Sequence, residues 1–434
     1  MFAYYLELAV RSLKRSRALT ALMIAAVALG IGTSMVTLTV LHVVSGDPLP
    51  ERSGSIYLPR IDPRDDSTAS ASTAMPVQVT WLDGNNLLRA GRARQQALML
   101  GGQVAIEPDA GNIEPFIATA RYTSMGFFDL FDVPFLRGAG WSAADDEARA
   151  RVAVISSALE ERLFHGDNAV GRTVRVGGVP LRVIGVLAPW RPVPHFYDLY
   201  MGHFAGGEDV YLPLSTARAA LLPRGGGIEC WGKGSTTENL METAECTWLQ
   251  FWVRLDSASD VAAYGRFLDG YVHEQFSAGR FRRNRPAELT GLMAYLDERH
   301  VVPGDLHLQV WLAFGFLLVC LANTVGLMLA KFMRRGMEIG VRRALGASRG
   351  SVFAQMLTEA GIIGLAGGLL GLVLALAGLA LVRTRPDHYA QLARLDLSML
   401  ATTFVLSITA TLLAGLFPAW RASRLPPGLQ LKSQ

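Results

Sequence analysis

Hydrophobic positions in this chain gather into four long unbroken runs. Residues 18–46, 306–330, 360–382 and 397–420 contain no Asp, Glu, Lys or Arg. Each run holds roughly 23 to 29 residues, enough for a helix to cross about 30 Å of hydrocarbon. Between the first and second lies a polar stretch of about 260 residues, longer than a typical domain and obliged to bury a core of its own. The other connections are short. The pattern predicts an α-helical membrane protein with four transmembrane helices in a 1 + 3 arrangement and a large mixed α/β domain inserted between the first and second. Its segments are an amphipathic N-terminal helix at 1–17, a span at 18–46, the inserted domain at 47–304 and a second span at 305–333. A connecting helix at 334–350, a third span at 351–382, a short loop at 383–396, a fourth span at 397–420 and a tail at 421–434 complete the chain.

The first run is about twice the length of a secretory h-region and no small-residue cleavage site precedes Asp47, so it reads as an uncleaved span. Ahead of it, Phe2, Tyr5, Leu6, Ala9 and Leu13 share one side while basic residues gather toward the end, the pattern of a helix lying along a membrane surface. Positive charge then sets the topology. Arg11, Lys14, Arg15 and Arg17 precede the first span, and Lys331, Arg334, Arg335, Arg342, Arg343 and Arg349 join the second to the third. Arg421, Arg424 and Lys432 follow the fourth. Four crossings put these three segments on one side, and short basic loops stay in the cytoplasm. Both termini are expected there, with the inserted domain on the opposite side.

Composition agrees with a membrane protein, since half of the 434 residues are hydrophobic and 18% are charged. The formal net charge is only +4, and its cations lie beside the spans. That placement favours anionic membrane lipids over nucleic acid as partners.

The inserted domain has a legible local pattern. A strand is expected over 151–155, followed by a helix capped by Ser156 or Ser157 and running to Phe164. A hairpin follows over 173–186, turning at Gly177-Gly178. Leu249, Phe251, Val253 and Leu255 alternate with Trp248, Gln250, Trp252 and Arg254, which predicts a half-buried strand. Stretches 62–73 and 223–243, rich in Gly, Ser, Thr and Asp, read as loops. Cys230 and Cys246 both fall in this domain, whereas Cys320 lies in the second span. In an oxidising compartment the first two can form a disulfide; otherwise they are two small, partly buried thiols.

A membrane-anchored enzyme is the competing class. The inserted domain contains no Gly-x-Ser-x-Gly elbow, no His-Glu-x-x-His helix and no Cys-x-x-Cys pair, so no catalytic or metal residue is assigned. The run from Gly227 to Gly234 approaches a phosphate-binding loop but ends in Gly234 where a magnesium-binding hydroxyl is needed. No cofactor site is read in this chain, and any energy source belongs to a partner.

The connection between spans two and three is the most organised short segment. It predicts a helix of about three turns with Ile339, Arg342, Arg343 and Gly346 on one side and Glu338 paired with Arg342 one turn on. Gly346-Ala347 ends it. By charge alone, the same segment is equally a loop that only fixes topology. In span three, Gly364, Gly367, Gly368, Gly371, Ala375 and Gly378 recur at steps of three and four, predicting a smooth stripe on one helix face where another backbone packs closely. Ala28 and Gly32 in span one are candidates for the opposing surface, and packing within one subunit or across a dimer both satisfy the pattern.

Residues 323–371 resemble the carboxy-terminal domain of the MacB/FtsX permease superfamily. The likeness rests on Asn323, Arg334-Arg335, the run from Glu338 to Ala347, Gln355, Glu359-Ala360 and Gly367-Gly368 with Gly371. The run from Gly415 to Ala422, followed by Pro426, is similar to the family's closing motif. Residues 122–187 are similar to its periplasmic core domain, notably at Phe127-Phe128, Leu136-Arg137-Gly138, Leu163-Phe164 and Val170-Gly171.

The resemblance implies a permease subunit of an ABC transporter of the mechanotransmission type in a bacterial inner membrane. Its partners are cytoplasmic ABC ATPase subunits, which bind the ATP and Mg, and a second permease, identical or different. The implied ATPase-coupling residues are Glu338, Ile339, Gly340, Arg342, Arg343, Gly346 and Ala347. Because the chain begins almost directly at the first span, the ATPase is expected as a separate polypeptide. Two outputs stand: export or extraction of a peptide, toxin, lipid or lipoprotein, with or without a periplasmic adaptor and outer-membrane channel, or FtsX-like activation of a periplasmic cell-wall hydrolase or sensor. The size of the inserted domain favours transport.

Overall fold

A backbone in hydrocarbon must satisfy every N–H and C=O internally, and a helix does so within a single segment. The computed structural model describes residues 2–65, 74–108, 113–231, 241–243, 245–384 and 397–423. The chain opens with α1 (Phe2–Arg15) and α2 (Arg17–Val44). There follow β1 (Ile56–Arg60), α3 (Trp81–Ala90), β2 (Gln95–Glu107), β3 (Phe116–Thr123), α4 (Phe127–Phe131), β4 (Phe135–Gly138) and α5 (Ala143–Glu147). Next come β5 (Val152–Ser156), α6 (Ser157–Phe164), β6 (Thr173–Val176), β7 (Val179–Leu187), β8 (Val210–Pro213), α7 (Leu214–Ala219) and β9 (Glu229–Cys230). The sheet part ends with β10 (Cys246–Thr247), β11 (Gln250–Arg254), α8 (Ala258–Ser277), β12 (Glu288–Gly291) and α9 (Leu292–Glu298). Four helices close the chain: α10 (Gly304–Arg334), α11 (Gly336–Ala344), α12 (Arg349–Val382) and α13 (Leu397–Ser423). Two compact units result, one of Met1–Ser45 with Val302–Gln434 and one of Gly46–Val301.

In the helical unit, α2, α10, α12 and α13 are each long and apolar enough to cross a membrane, with mean hydropathies of 2.0, 2.2, 2.5 and 1.9. α12 packs against both α2 and α13, and α10 against both as well. The glycines explain the close approach. A Cβ on Gly371 would meet the Ala28 carbonyl oxygen at 3.1 Å, and one on Gly367 would meet Val27 Cγ1 at 2.6 Å, both on α2. Gly364 and Gly368 turn instead to α13, where Ser407 Oγ donates to the Gly364 carbonyl at 2.6 Å. The single stripe expected from the spacing is therefore two adjoining tracks, because steps of three and of four drift to opposite sides of a helix. Gly32 on α2 reciprocates at Gly371, so this packing lies within one chain. Cys320 is buried beside Gly30.

In the inserted unit, the main sheet has ten strands in the order β12-β1-β11-β2-β3-β8-β5-β7-β4, with β6 pairing β2 and β7. β3 with β8 and β5 with β7 are parallel, and the other pairs are antiparallel. Ser156 is the cap of α6, accepting from the Leu159 N–H at 3.1 Å. The hairpin turns through Gly177 and Gly178 with φ of 57° and 80°, the left-handed pair that suits two-residue hairpins. One face of the sheet buries Leu98, Leu100, Tyr122, Phe251 and Val253 in a large apolar core.

β11 departs from its expected half-burial: Gln250 and Trp252 are as buried as Phe251 and Val253. The 3₁₀ segment Phe196–Met201 covers the second face, where Trp252 meets Phe196 and Tyr295 edge-on. Alternation in sequence reports only one covered face, so a second layer is invisible to it.

That second layer holds a buried ion cluster. Arg121 stands opposite Gly101 in the strand register and pairs with Asp198 at 2.7 Å and with Glu208 through its Nε at 2.9 Å. Tyr197 donates to Glu208 at 2.6 Å, and Gln250 donates to Asp198 at 3.0 Å. Burial by itself would raise the Glu208 carboxyl, but Arg121 and His195 overrule it and hold it well below the usual carboxylate range. Charges this deep persist because each has a partner.

Of the expected loop 62–73, the described part is anchored: Asp62 and Arg64 are buried and paired at 2.7 Å, and Arg64 reaches Glu229 at 3.1 Å. Cys230 and Cys246 face each other across β9 and β10 and form a disulfide. Residues 66–73, 232–240 and 385–396, and with them Gly232-Lys233-Gly234 and most of the loop 383–396, lie outside the described residues. So does Pro426.

Candidate functional site

The joint between α10 and α12 is built by three local devices. α10 stops at Arg335, whose backbone angles of −102° and 12° break the helical run, and α11 restarts at Gly336. α11 ends in a Schellman turn: Gly346 takes a φ of 100°, its N–H bonds to the Arg343 carbonyl at 3.2 Å, and the Ala347 N–H bonds to the Arg342 carbonyl at 3.0 Å. Ser348 then caps α12, accepting from the Ser351 N–H at 3.1 Å. Gly346 thus lies beyond the helix, since its left-handed backbone ends the turn instead of extending the face.

The faces of α11 separate cleanly. Ile339 joins the helical core with Phe332, Val352 and Met356, and Gly340 is buried. Arg342 donates to Glu338 at 3.3 Å, as the four-residue spacing predicts, and also to Gln355 on α12 at 3.1 Å. Ile339 and Arg342 therefore hold α11 to the chain's own third span. Met337, Val341 and Leu345 point the other way, 66%, 45% and 83% exposed. Their four-residue spacing is present in the sequence, on the face opposite the arginines.

Behind the joint, Lys331 of α10 and Glu359 of α12 form a buried ion pair at 2.9 Å. Arg335 also approaches Glu359, at 3.4 Å, and donates to Ser12 of α1. Lys331 and Glu359 each stand one residue outside an uncharged run, and that matched pair of opposite charges was the available signal.

In the inserted unit, a cleft of about 670 Å³ is lined by Trp81, Leu88, Arg89, Arg94, Asp129 and Asp146, among others. Burial pushes the Asp146 carboxyl up to about 6, although the Met125 N–H donates to it at 2.9 Å. Among the described residues, no group of three or more His, Cys, Asp or Glu is arranged to hold a metal.

One apolar helix before a large mixed sheet and three after it, with a short basic helix between α10 and α12, define a polytopic membrane protein with a large inserted domain. A family model for the MacB-like periplasmic core domain matches residues 20–267, and one for the FtsX-like permease C-terminal domain matches residues 310–427. The chain belongs to the MacB/FtsX family of ABC transporter permeases, and the inserted unit is its periplasmic domain. The pyoverdine export ATP-binding/permease protein PvdT of Pseudomonas aeruginosa is 28% identical over 338 residues, covering 77% of this chain and 44% of the relative. The macrolide export ATP-binding/permease protein MacB 1/2 of Paracoccus denitrificans is 27% identical over 363 residues, covering 78% and 48%. The chain spans about half the length of these curated relatives, and only permease domains are matched in it. The periplasmic region of MacB from Actinobacillus actinomycetemcomitans aligns at 14% identity and a TM-score of 0.35, covering 58% of this chain and 93% of that one.

Proposed function

We propose that the chain is the permease subunit of an export-type ABC transporter in a bacterial inner membrane, with both termini cytoplasmic. The observation that carries this reading is the exposed row of Met337, Val341 and Leu345 on a short helix between two spanning helices. Apolar side chains one turn apart on a braced helix suit the groove of a protein partner. That partner is a cytoplasmic ABC ATPase, which binds the ATP and Mg. Glu338, Ile339, Gly340, Arg342, Arg343, Gly346 and Ala347 form the coupling segment, with Ile339 and Arg342 passing a push on α11 into α12. A second permease, identical or different, completes the complex, and the stroke is delivered on the periplasmic side as mechanotransmission.

The relatives named for pyoverdine and macrolide export support export over regulation of a cell-wall hydrolase. The cargo class is a peptide, toxin, lipid or lipoprotein, handed on through an adaptor and outer-membrane channel. Copurification with the ATPase tests the coupling surface. Val341→Asp combined with Leu345→Asp should abolish it while leaving the melting temperature unchanged. An ATPase that stays bound to that variant, or a Leu345→Cys thiol labelled from the periplasm, defeats the reading.

A further inference from the structure

The break between α1 and α2 opens onto a second cavity, of about 660 Å³, in the helical unit. Arg15, Lys331, Arg334, Arg335 and Arg342 line it, against Glu338 as the one acidic lining residue. The existing ion pairs do not absorb this charge. Glu338 is shared by Arg342 at 3.3 Å and Arg15 at 3.6 Å, and Glu359, just outside the cavity, is shared by Lys331 and Arg335. Two carboxylates therefore face five cations, and Arg334 has no ion-pair partner among the described residues.

The cavity wall supplies a further anion-binding element. α2 is a helix of 28 residues whose N-cap, Ser16, makes no side-chain capping bond, and the Ser16 hydroxyl is buried with no hydrogen-bond partner. Ser16 and Leu19 both line the cavity, so the first turn of α2 borders it. The dipole of a helix start that lacks a side-chain cap favours a negative ligand, and phosphate oxygens are strong acceptors for arginine and hydroxyl donors. Leu19, at the start of a spanning helix, adds an apolar edge, and Met337 and Val341 of the exposed α11 row line the same cavity, so the site adjoins the coupling surface.

We infer that this cavity binds the phosphate of an anionic phospholipid headgroup, with Arg334, Arg15 and the Ser16 hydroxyl as donors and the acyl chains leaving past Leu19. The chemistry is that of a phosphodiester; a soluble phosphate shares it but has no use for the apolar edge or for a site where helices enter the bilayer. Headgroup binding requires only that the four helices span a membrane, so its test is independent of any ATPase.

Native mass spectrometry of the full chain, delipidated in detergent and titrated with phosphatidylglycerol or phosphatidylcholine, reads the site directly. Wild type should retain phosphatidylglycerol preferentially. Arg15→Gln with Arg334→Gln should weaken that binding roughly twenty-fivefold, about fivefold for each arginine, with phosphatidylcholine binding unchanged. Arg421→Gln, in the last turn of α13 and not among the cavity's lining residues, should leave the preference intact. Equal preference in the double variant overturns the assignment, as does an equal loss in Arg421→Gln. A third arm adds inorganic phosphate: failure of millimolar phosphate to displace the lipid supports a headgroup site, and full displacement makes it a site for a soluble anion. A melting temperature in the wild-type range for the double variant shows that lost binding is not lost folding.

Discussion

Lys331 of α10 and Glu359 of α12 meet at 2.9 Å with both side chains 3% exposed. The pair ties the second span to the third just where α11 departs, so the joint has a charged clamp behind it and an apolar row in front. Taking Glu359 away leaves the buried Lys331 ammonium uncompensated, whereas taking Lys331 away still leaves Arg335 beside Glu359.

Glu359→Ala should therefore destabilise the helical unit by about 3–5 kcal/mol, whereas Lys331→Met with Glu359→Met should recover most of the loss. Thermal unfolding in detergent measures both. Glu359→Ala as stable as wild type refutes the clamp.

The two glycine tracks of α12 give separable outcomes. Gly371→Leu drives a side chain at the Ala28 carbonyl and should loosen α2, while Gly364→Leu meets Thr411 and Ser407 and should loosen α13. Gly326→Ala, where a Cβ meets nothing within 4 Å, is the control and should be silent. Crosslinking yields between cysteines introduced on the paired helices distinguish the two.

Cys230 and Cys246 are 16 residues apart in sequence. By loop entropy, a bridge closing a loop of this size contributes about 3 kcal/mol, so Cys230→Ser with Cys246→Ser should lower the unfolding free energy of the periplasmic domain by that order. Nonreducing peptide mass spectrometry identifies the bridge itself. A reduced pair in protein recovered from the periplasmic side would contradict it.

Asp146 confers an opposite pH response from most carboxylates. Its folded-state value of about 6 lies above the ordinary one, so the folded form holds the proton more tightly than the unfolded chain. Lowering pH from 7 toward 4 therefore relieves a penalty and stabilises the domain through this group. Asp146→Asn should remove that increment and flatten the dependence between about pH 4 and 7; an unchanged profile would show that the carboxyl titrates normally.

Local rules account for what the residues announced. The four spans were readable because a charge-free run must satisfy its own backbone in lipid, and a helix does so without help from elsewhere. The Ser156 cap and the Gly177-Gly178 turn were readable because cap and turn geometry depend on residues within a few positions of each other. The Glu338 and Arg342 contact follows from one helical turn.

Packing decided the remainder. Residue spacing placed six small residues along α12 but could not say that Gly367 and Gly371 meet α2 while Gly364 and Gly368 meet α13. Charge marks Arg342 and Arg343 in the sequence, yet which side of α11 is left uncovered depends on Phe332, Val352 and Met356 lying under Ile339. Arg121, Asp198 and Glu208 are scattered through the sequence and meet only because a 3₁₀ segment folds over the second face of the sheet. Periodicity determines which side chains share a face; only the neighbours that arrive from distant sequence determine whether that face meets lipid, water, or another part of the same chain.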